Sequence, residues 1–146
     1  LAFNGHYEHS LDAKDRLTIP ARLRSRLAEG VVVAASFDPC VEVWPAQAFA
    51  RYAASVQGGL NPLSAKARLI RRRIHEGAHD DDLDTAGRVR VPKHLLEHGA
   101  LEGTCVIVGA DTHLEVWSPE RWTEQAKLME EAMSVAEELA AADGSA

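Results

Sequence analysis

The order of apolar and polar positions divides the chain into short strands and helices. Residues 3–11 and 16–19 read as two strands joined by the turn-like Asp12-Ala13-Lys14-Asp15, a first hairpin. Residues 31–35 and 41–44 make a second strand pair, and residues 105–109 and 114–117 a later one. Pro20 before residues 21–27 and Pro92 before residues 93–97 each suit the first turn of a helix. Pro45 and Pro119 mark two more helix starts, with Ser118 as an N-cap. Asn61-Pro62 caps a helix whose Leu63, Ala67, Ile70 and Ile74 share one face. A C-terminal helix carries Trp122, Ala126, Met129, Met133, Ala136 and Ala140 at the same spacing.

These elements fall into two matched sets. Asp12, Arg16 and Pro20 recur 72 residues later as Asp84, Arg88 and Pro92. After one inserted residue, Glu29-Gly30, Asp38 and Glu42-Val43-Trp44 recur 73 residues later as Glu102-Gly103, Asp111 and Glu115-Val116-Trp117. A Glu-Val-Trp triplet recurring in step with an Asp-x-x-x-Arg-x-x-x-Pro frame indicates a duplicated unit. Two copies are too few and too long for a solenoid, so they are expected to pack face to face, like a dimer within one chain. In the second turn Gly87 takes a positive φ at no steric cost. Asp15 stands there in the first, and Asp tolerates the left-handed region better than most residues.

Composition narrows the function classes. At 146 residues, 46% of them hydrophobic, the chain can bury one core or two small ones that share an interface. No run approaches the roughly 20 apolar residues that span a bilayer, and residues 1–8 lack the pattern of a signal peptide, so a cytoplasmic protein with no membrane partner is expected. Cys40 and Cys105 have no CxxC spacing and read as small buried hydrophobes. The net charge of −6 counts against nucleic-acid binding until the charges are located. From Ser118 onward seven acids meet two bases, so most of the excess sits in the tail. The remainder holds basic clusters: Lys14, Arg16, Arg22, Arg24 and Arg26, then Arg68, Arg71, Arg72 and Arg73.

Proteins read DNA by neutralising phosphates with Arg and Lys and by setting a few of these against base edges. Lys14 and Arg16 on the first turn, and Arg88 and Arg90 on the second, are the candidate DNA-contacting residues, with Arg22 and Arg24 placed to meet phosphate. The plainer alternative is that Arg16 and Arg88 only pair with Asp12 and Asp84, which are assigned the role of stabilising the hairpins. Arg71-Arg72-Arg73 points in different directions on a helix and reads as a solvated face or as subunit salt bridges. Residues 75–82 are rich in His and Asp but lack the His-Glu-x-x-His spacing, so they read as a polar linker. No metal, cofactor, catalytic residue or enzymatic activity is expected, and Trp44 and Trp117 are assigned to core or subunit packing.

Two segments carry a resemblance to a known family. Residues 9–22, His-Ser-Leu-Asp-Ala-Lys-Asp-Arg-Leu-Thr-Ile-Pro-Ala-Arg, and residues 83–92, Leu-Asp-Thr-Ala-Gly-Arg-Val-Arg-Val-Pro, resemble the two signatures of the MraZ family, and the likeness covers nearly the whole chain. Asp15 departs from the glycine usual there and adds an acid beside Arg16. The resemblance implies an α+β fold, a tandem pseudo-symmetric AbrB-like swapped-hairpin β-barrel with flanking helices. The expected divisions are a first module at 1–60, a linker helix at 61–77, a second module at 78–124, and a C-terminal helix and acidic tail at 125–146. It also implies a nucleoid-associated transcription regulator that assembles as a ring-shaped homo-oligomer. Its DNA partner would be repeated boxes in double-stranded DNA upstream of its own division and cell-wall operon. An oligomeric scaffold without DNA binding is the alternative.

Overall fold

Val31–Ala35 (β3), Val41–Pro45 (β4), Thr104–Gly109 (β7) and Leu114–Trp117 (β8) are apolar runs, mostly buried, and their backbones need a neighbour along each edge. In the computed structural model, which describes residues 2–144, they obtain those neighbours in one antiparallel sheet. Its outer strands are His6–Ser10 (β1) and Ala78–Asp81 (β5), and its order is β1-β7-β8-β4-β3-β5. Arg16–Thr18 (β2) and Arg88–Arg90 (β6) pair separately as a two-stranded ribbon. The helices are Ala46–Gly58 (α1), Ala65–Glu76 (α2), Lys93–Gly99 (α3) and Pro119–Gly144 (α4), with a 3-10 helix at Ala21–Leu27.

The expected hairpin between residues 3–11 and 16–19 does not form. β1 pairs with β7 of the second repeat, and β2 pairs with β6 of the second repeat. β5, which opens the second repeat, pairs in turn with β3 of the first. The duplication makes this possible: each repeat offers the other the same strand edges it could offer itself, and the exchanged arrangement buries Leu17 and Val89 in a shared core. The segment read as a polar linker thus supplies an edge strand, because ladder bonds use the backbone and an edge tolerates polar side chains. The sheet is open, with β1 and β5 at its ends, so it is not the closed barrel that was expected.

The registers show the internal symmetry. Glu42 faces Glu115 across β4–β8, and Leu17 faces Val89 across β2–β6. Each pair consists of repeat equivalents, so a pseudo-two-fold axis passes through the large sheet and the ribbon together. Between the two layers lies the main core, where Leu17, Ile19, Val33, Val43, Leu95, Ile107, Leu114 and Val116 are fully buried. On the far face of the sheet, Val32, Ala34 and Trp44 pack on Phe49 and Ala53 of α1 and Ile74 of α2. The other half of that face is covered more thinly: Cys40, Val106, Val108 and Trp117 meet Trp122 of α4. Both cysteines are fully buried, and burial pushes their thiols upward, Cys105 to about 11.

Helix boundaries follow local chemistry, with some departures. Pro20 and Pro92 occupy the N-cap position rather than the first turn, and the helix after Pro20 is 3-10; Pro45 marks the start of α1 as its N-cap. Ser64, not Asn61, caps α2 by accepting from the Ala67 amide, while Asn61 closes the preceding turn through the Leu63 amide. Leu63 is consequently outside the helix and exposed. Ser118 does cap α4, its hydroxyl accepting from the Arg121 amide. α4 is the repeat equivalent of α1 and starts at Pro119, where a helix start was expected, but among the described residues no second copy of α2 backs it. Leu128, Met129, Met133, Val135 and Leu139 remain exposed on it.

Two outcomes follow from the exchange. Residues 1–60 expressed alone leave β1 and β2 without partners and should give no cooperative thermal transition by circular dichroism. In the full chain, Leu17→Ala should lower stability by about 2–5 kcal/mol in denaturant unfolding, the usual range for emptying a closely packed core site.

Candidate nucleic-acid interface

Each signature folds into the same five-residue turn, organised by its aspartate. Asp12 Oδ1 accepts from the Lys14 and Arg16 amides, both at 2.9 Å, and Oδ2 accepts from Arg16 Nε at 2.8 Å. Asp84 repeats this with the Ala86 amide at 3.0 Å, the Arg88 amide at 2.9 Å and Arg88 Nε at 2.8 Å. In both carboxyls the amide of the arginine is the largest influence holding the pKa below the ordinary aspartate value. The fourth turn residue is left-handed in both copies, Asp15 at φ 58° and Gly87 at φ 76°, so aspartate does take the glycine conformation. The two turns also bind each other's repeat: Ile19 N–H donates to Gly87 O and Val91 N–H to Asp15 O, each at 2.9 Å.

The ribbon gives the charges a common direction. Arg16 is the cross-strand partner of Arg90, and Arg88 that of Thr18. Directly opposed residues, and residues two apart, lie on one face of a strand pair. Arg16, Thr18, Arg88 and Arg90 therefore share the outer face, while Leu17 and Val89 point into the core with 0% and 1% exposure. Asp12 and Asp84 grip Arg16 and Arg88 through Nε, which leaves the terminal guanidinium nitrogens at the outer end of the side chain. Arg88 Nη1 lies 3.8 Å from Asp12 Oδ2, so the two turns are electrostatically joined. Arg90 and Lys14 are exposed and form no ion pair among the described residues.

Not every basic candidate joins this face. Arg22 is exposed at the start of the 3-10 helix. Arg24 is committed to structure: its Nε donates to the Ile19 carbonyl at 2.9 Å, and the side chain lies over Gly87. A Cβ at position 87 would sit 2.1 Å from Arg24 Nε. Thr18 was not singled out from the sequence; the alternation of β2 would have found it once the partner strand was known. Arg73 donates to the Ser36 carbonyl, so part of the Arg71-Arg72-Arg73 run ties α2 to the β3–β4 loop.

Gly87 is thus fixed twice, by its φ and by Arg24. Gly87→Ala should lower the melting temperature, whereas Asp15→Gly should not, because it relieves a left-handed non-glycine residue. The Asp12 and Asp84 carboxyls should titrate below ordinary aspartate in a carboxyl-carbon NMR titration. Their depressed folded-state pKa values mean the stability they contribute is present above the unfolded value and is lost as pH falls through the folded one.

The chain matches known proteins along its length. A family model described as "MraZ protein, putative antitoxin-like" matches it twice, at residues 2–72 and 74–144. A transcriptional regulator MraZ from Heliobacterium modesticaldum is 41% identical over 138 residues, covering 94% of each chain. One from Roseiflexus castenholzii is 42% identical over 123 residues, covering 82% of this chain and 83% of the relative. One from Herpetosiphon aurantiacus is 37% identical over 140 residues, covering 95% and 97%. Two consecutive matches to one family model, on a chain whose two turns are built alike, place this protein in the MraZ family.

Proposed function

We propose that this chain is a sequence-specific DNA-binding transcription regulator and that the β2–β6 ribbon is the element that meets the double helix. The observation that carries this reading is the single outer face bearing Arg16, Arg88 and Arg90, flanked by Lys14, in a chain whose relatives are named transcriptional regulators. A two-stranded ribbon fits the major groove, and arginine to guanine is the commonest specific base contact. Asp12 and Asp84 act as positioning residues, holding each guanidinium by one edge. Arg22 reaches phosphate beside the ribbon, and Arg24 supports the turn rather than the DNA.

The proposal includes the target and the assembly: repeated boxes in double-stranded DNA upstream of the chain's own division and cell-wall operon, met by a ring-shaped homo-oligomer at the nucleoid. Charge supports the need for several copies. Lys14, Arg16, Arg88 and Arg90 are opposed by Asp12, Asp15 and Asp84, a local excess of one positive charge per chain. Such a face binds weakly alone, but linked copies facing repeated boxes gain avidity without new contacts. The thinly covered half of the sheet and the exposed apolar residues of α4 support self-association. The strand exchange between repeats supports the swapped-hairpin reading, with an open sheet in place of the barrel.

Arg16→Ala, Arg88→Ala and Arg90→Ala should each weaken binding to DNA from upstream of the chain's own gene by about 1–3 kcal/mol per contact. The fold should persist, since surface ion pairs such as those of Arg16 and Arg88 add little to stability and Arg90 forms none among the described residues. Mobility shifts over a salt series, with melting temperature and sedimentation measured in parallel, check this. Wild-type binding by all three variants would remove the ribbon as the reading element. A protein that assembles but binds no DNA would be the scaffold alternative.

A further inference from the structure

The fold gathers three side chains that the sequence keeps far apart. Glu42, His113 and Glu115 bring their ligand atoms within 4.8 Å of one another on the pseudo-two-fold axis, against the far face of the sheet from the ribbon. Trp44 Nε1 donates to Glu42 Oε1 and Trp117 Nε1 to Glu115 Oε1, both at 3.1 Å. The two equivalent indoles thus orient the two equivalent carboxylates and leave each Oε2 free to face His113. The imidazole stacks on Trp44, with ring centroids 4.0 Å apart and planes 12° apart, and its Nδ1 lies 2.9 Å from Thr112 Oγ1. His113 Nε2 is shielded from solvent, 3.4 Å from Glu42 Oε2 and 3.9 Å from Glu115 Oε2, with no well-formed hydrogen bond among the described residues.

In the tautomer whose Nδ1–H donates to Thr112, Nε2 presents a lone pair toward the two carboxylate oxygens, and the three ligand atoms lie within 4.8 Å of one another. Among the described residues no Lys or Arg forms an ion pair with Glu42 or Glu115, and Glu42 is only 8% exposed. Two neighbouring carboxylates, one buried and one half-buried, need compensating positive charge. One proton on His113 balances one of the two charges; a divalent cation balances both. Tetrahedral zinc bound at 2.0–2.2 Å separates its ligand atoms by about 3.3–3.6 Å; the His113–Glu42 spacing of 3.4 Å matches this, and the Glu115 carboxylate, 3.9 Å from His113, closes in on a bound ion. Hydrogen-bonded partners outside the ligands, the two indoles and Thr112, are what orients such ligands in metal sites.

We propose that Glu42, His113 and Glu115 form a three-ligand site for a zinc-class divalent cation, with its fourth position taken by water, that ties the two repeats together across β4–β8. Glu42 comes from the first repeat and the other two ligands from the second. The repeat equivalent of His113 is Cys40, buried beside Trp117, so the axis carries one site and not two.

The test uses untagged full-length protein stripped with EDTA and then dialysed against ZnCl2. One zinc per chain by elemental analysis is expected, with the melting temperature raised by several degrees by ZnCl2 and unmoved by MgCl2. Substituting CoCl2 should give the visible absorption of a low-coordinate cobalt centre. His113→Gln and Glu115→Gln should abolish uptake and the thermal shift, while His79→Gln, at a surface His79/Asp81 pair, should change neither. Should the ligand variants fail to fold, Trp117→Phe keeps every ligand and should weaken zinc binding about 10–100-fold. Substoichiometric zinc at micromolar free metal, or full uptake by folded His113→Gln, would overturn the site and leave the triad as a protonated ion pair.

Discussion

Backbone hydrogen bonding between the two repeats is the constraint on which the rest of this protein depends. Neither repeat satisfies all of its own strands: beyond the local β3–β4 and β7–β8 pairs, β1 completes β7, β5 completes β3, and β2 pairs only with β6. Unpaired buried amides and carbonyls are costly, so the exchange leaves no half able to stop short of the whole. The same exchange encloses Leu17 and Val89 between sheet and ribbon, which turns the pairing into a single core.

The charged surface is a consequence of that core. Once Leu17 and Val89 point inward, the two-residue period of a strand obliges Arg16, Thr18, Arg88 and Arg90 to point outward together. No attraction between arginines gathers them; the apolar residues on the other face do. The aspartates then limit the mutual repulsion of the guanidiniums and fix their direction. This is how a chain with net charge −6 presents a local basic face, its acids being concentrated on α4 instead.

The pseudo-two-fold symmetry is followed closely in the backbone and broken where side chains differ. Asp15 and Gly87 adopt the same left-handed turn with different side chains, and Arg24 packs over only one of them. Cys40 and His113 occupy equivalent places beside Trp117 and Trp44, yet only His113 brings a ligand atom to the axial carboxylates. α1 is backed by α2, whereas α4 extends alone with its apolar residues exposed. Duplication set the frame, and later divergence gave the two sides different chemistry.

Much of this was legible in the sequence, because local rules act over a few residues. The repeat, the Asp-x-x-x-Arg turns, the apolar strands at 31–35, 41–44, 105–109 and 114–117, to within one residue, and the positive φ at Asp15 and Gly87 all follow from residue type and spacing. So did the burial of both cysteines and both repeated tryptophans. Which strands pair was not legible, since two repeats built on one pattern offer each strand two equivalent partners and the choice is made by packing over 70 or more residues. The edge strand β5 hid in a polar segment because ladder bonds ignore side-chain polarity. The commitment of Arg24 to Ile19 and Gly87, and the meeting of Glu42 with His113 and Glu115, likewise arise only when the second repeat folds back on the first. The chain's own spacing therefore determined its units and its turns, while the partners of those units, and every site that spans them, were decided by tertiary packing.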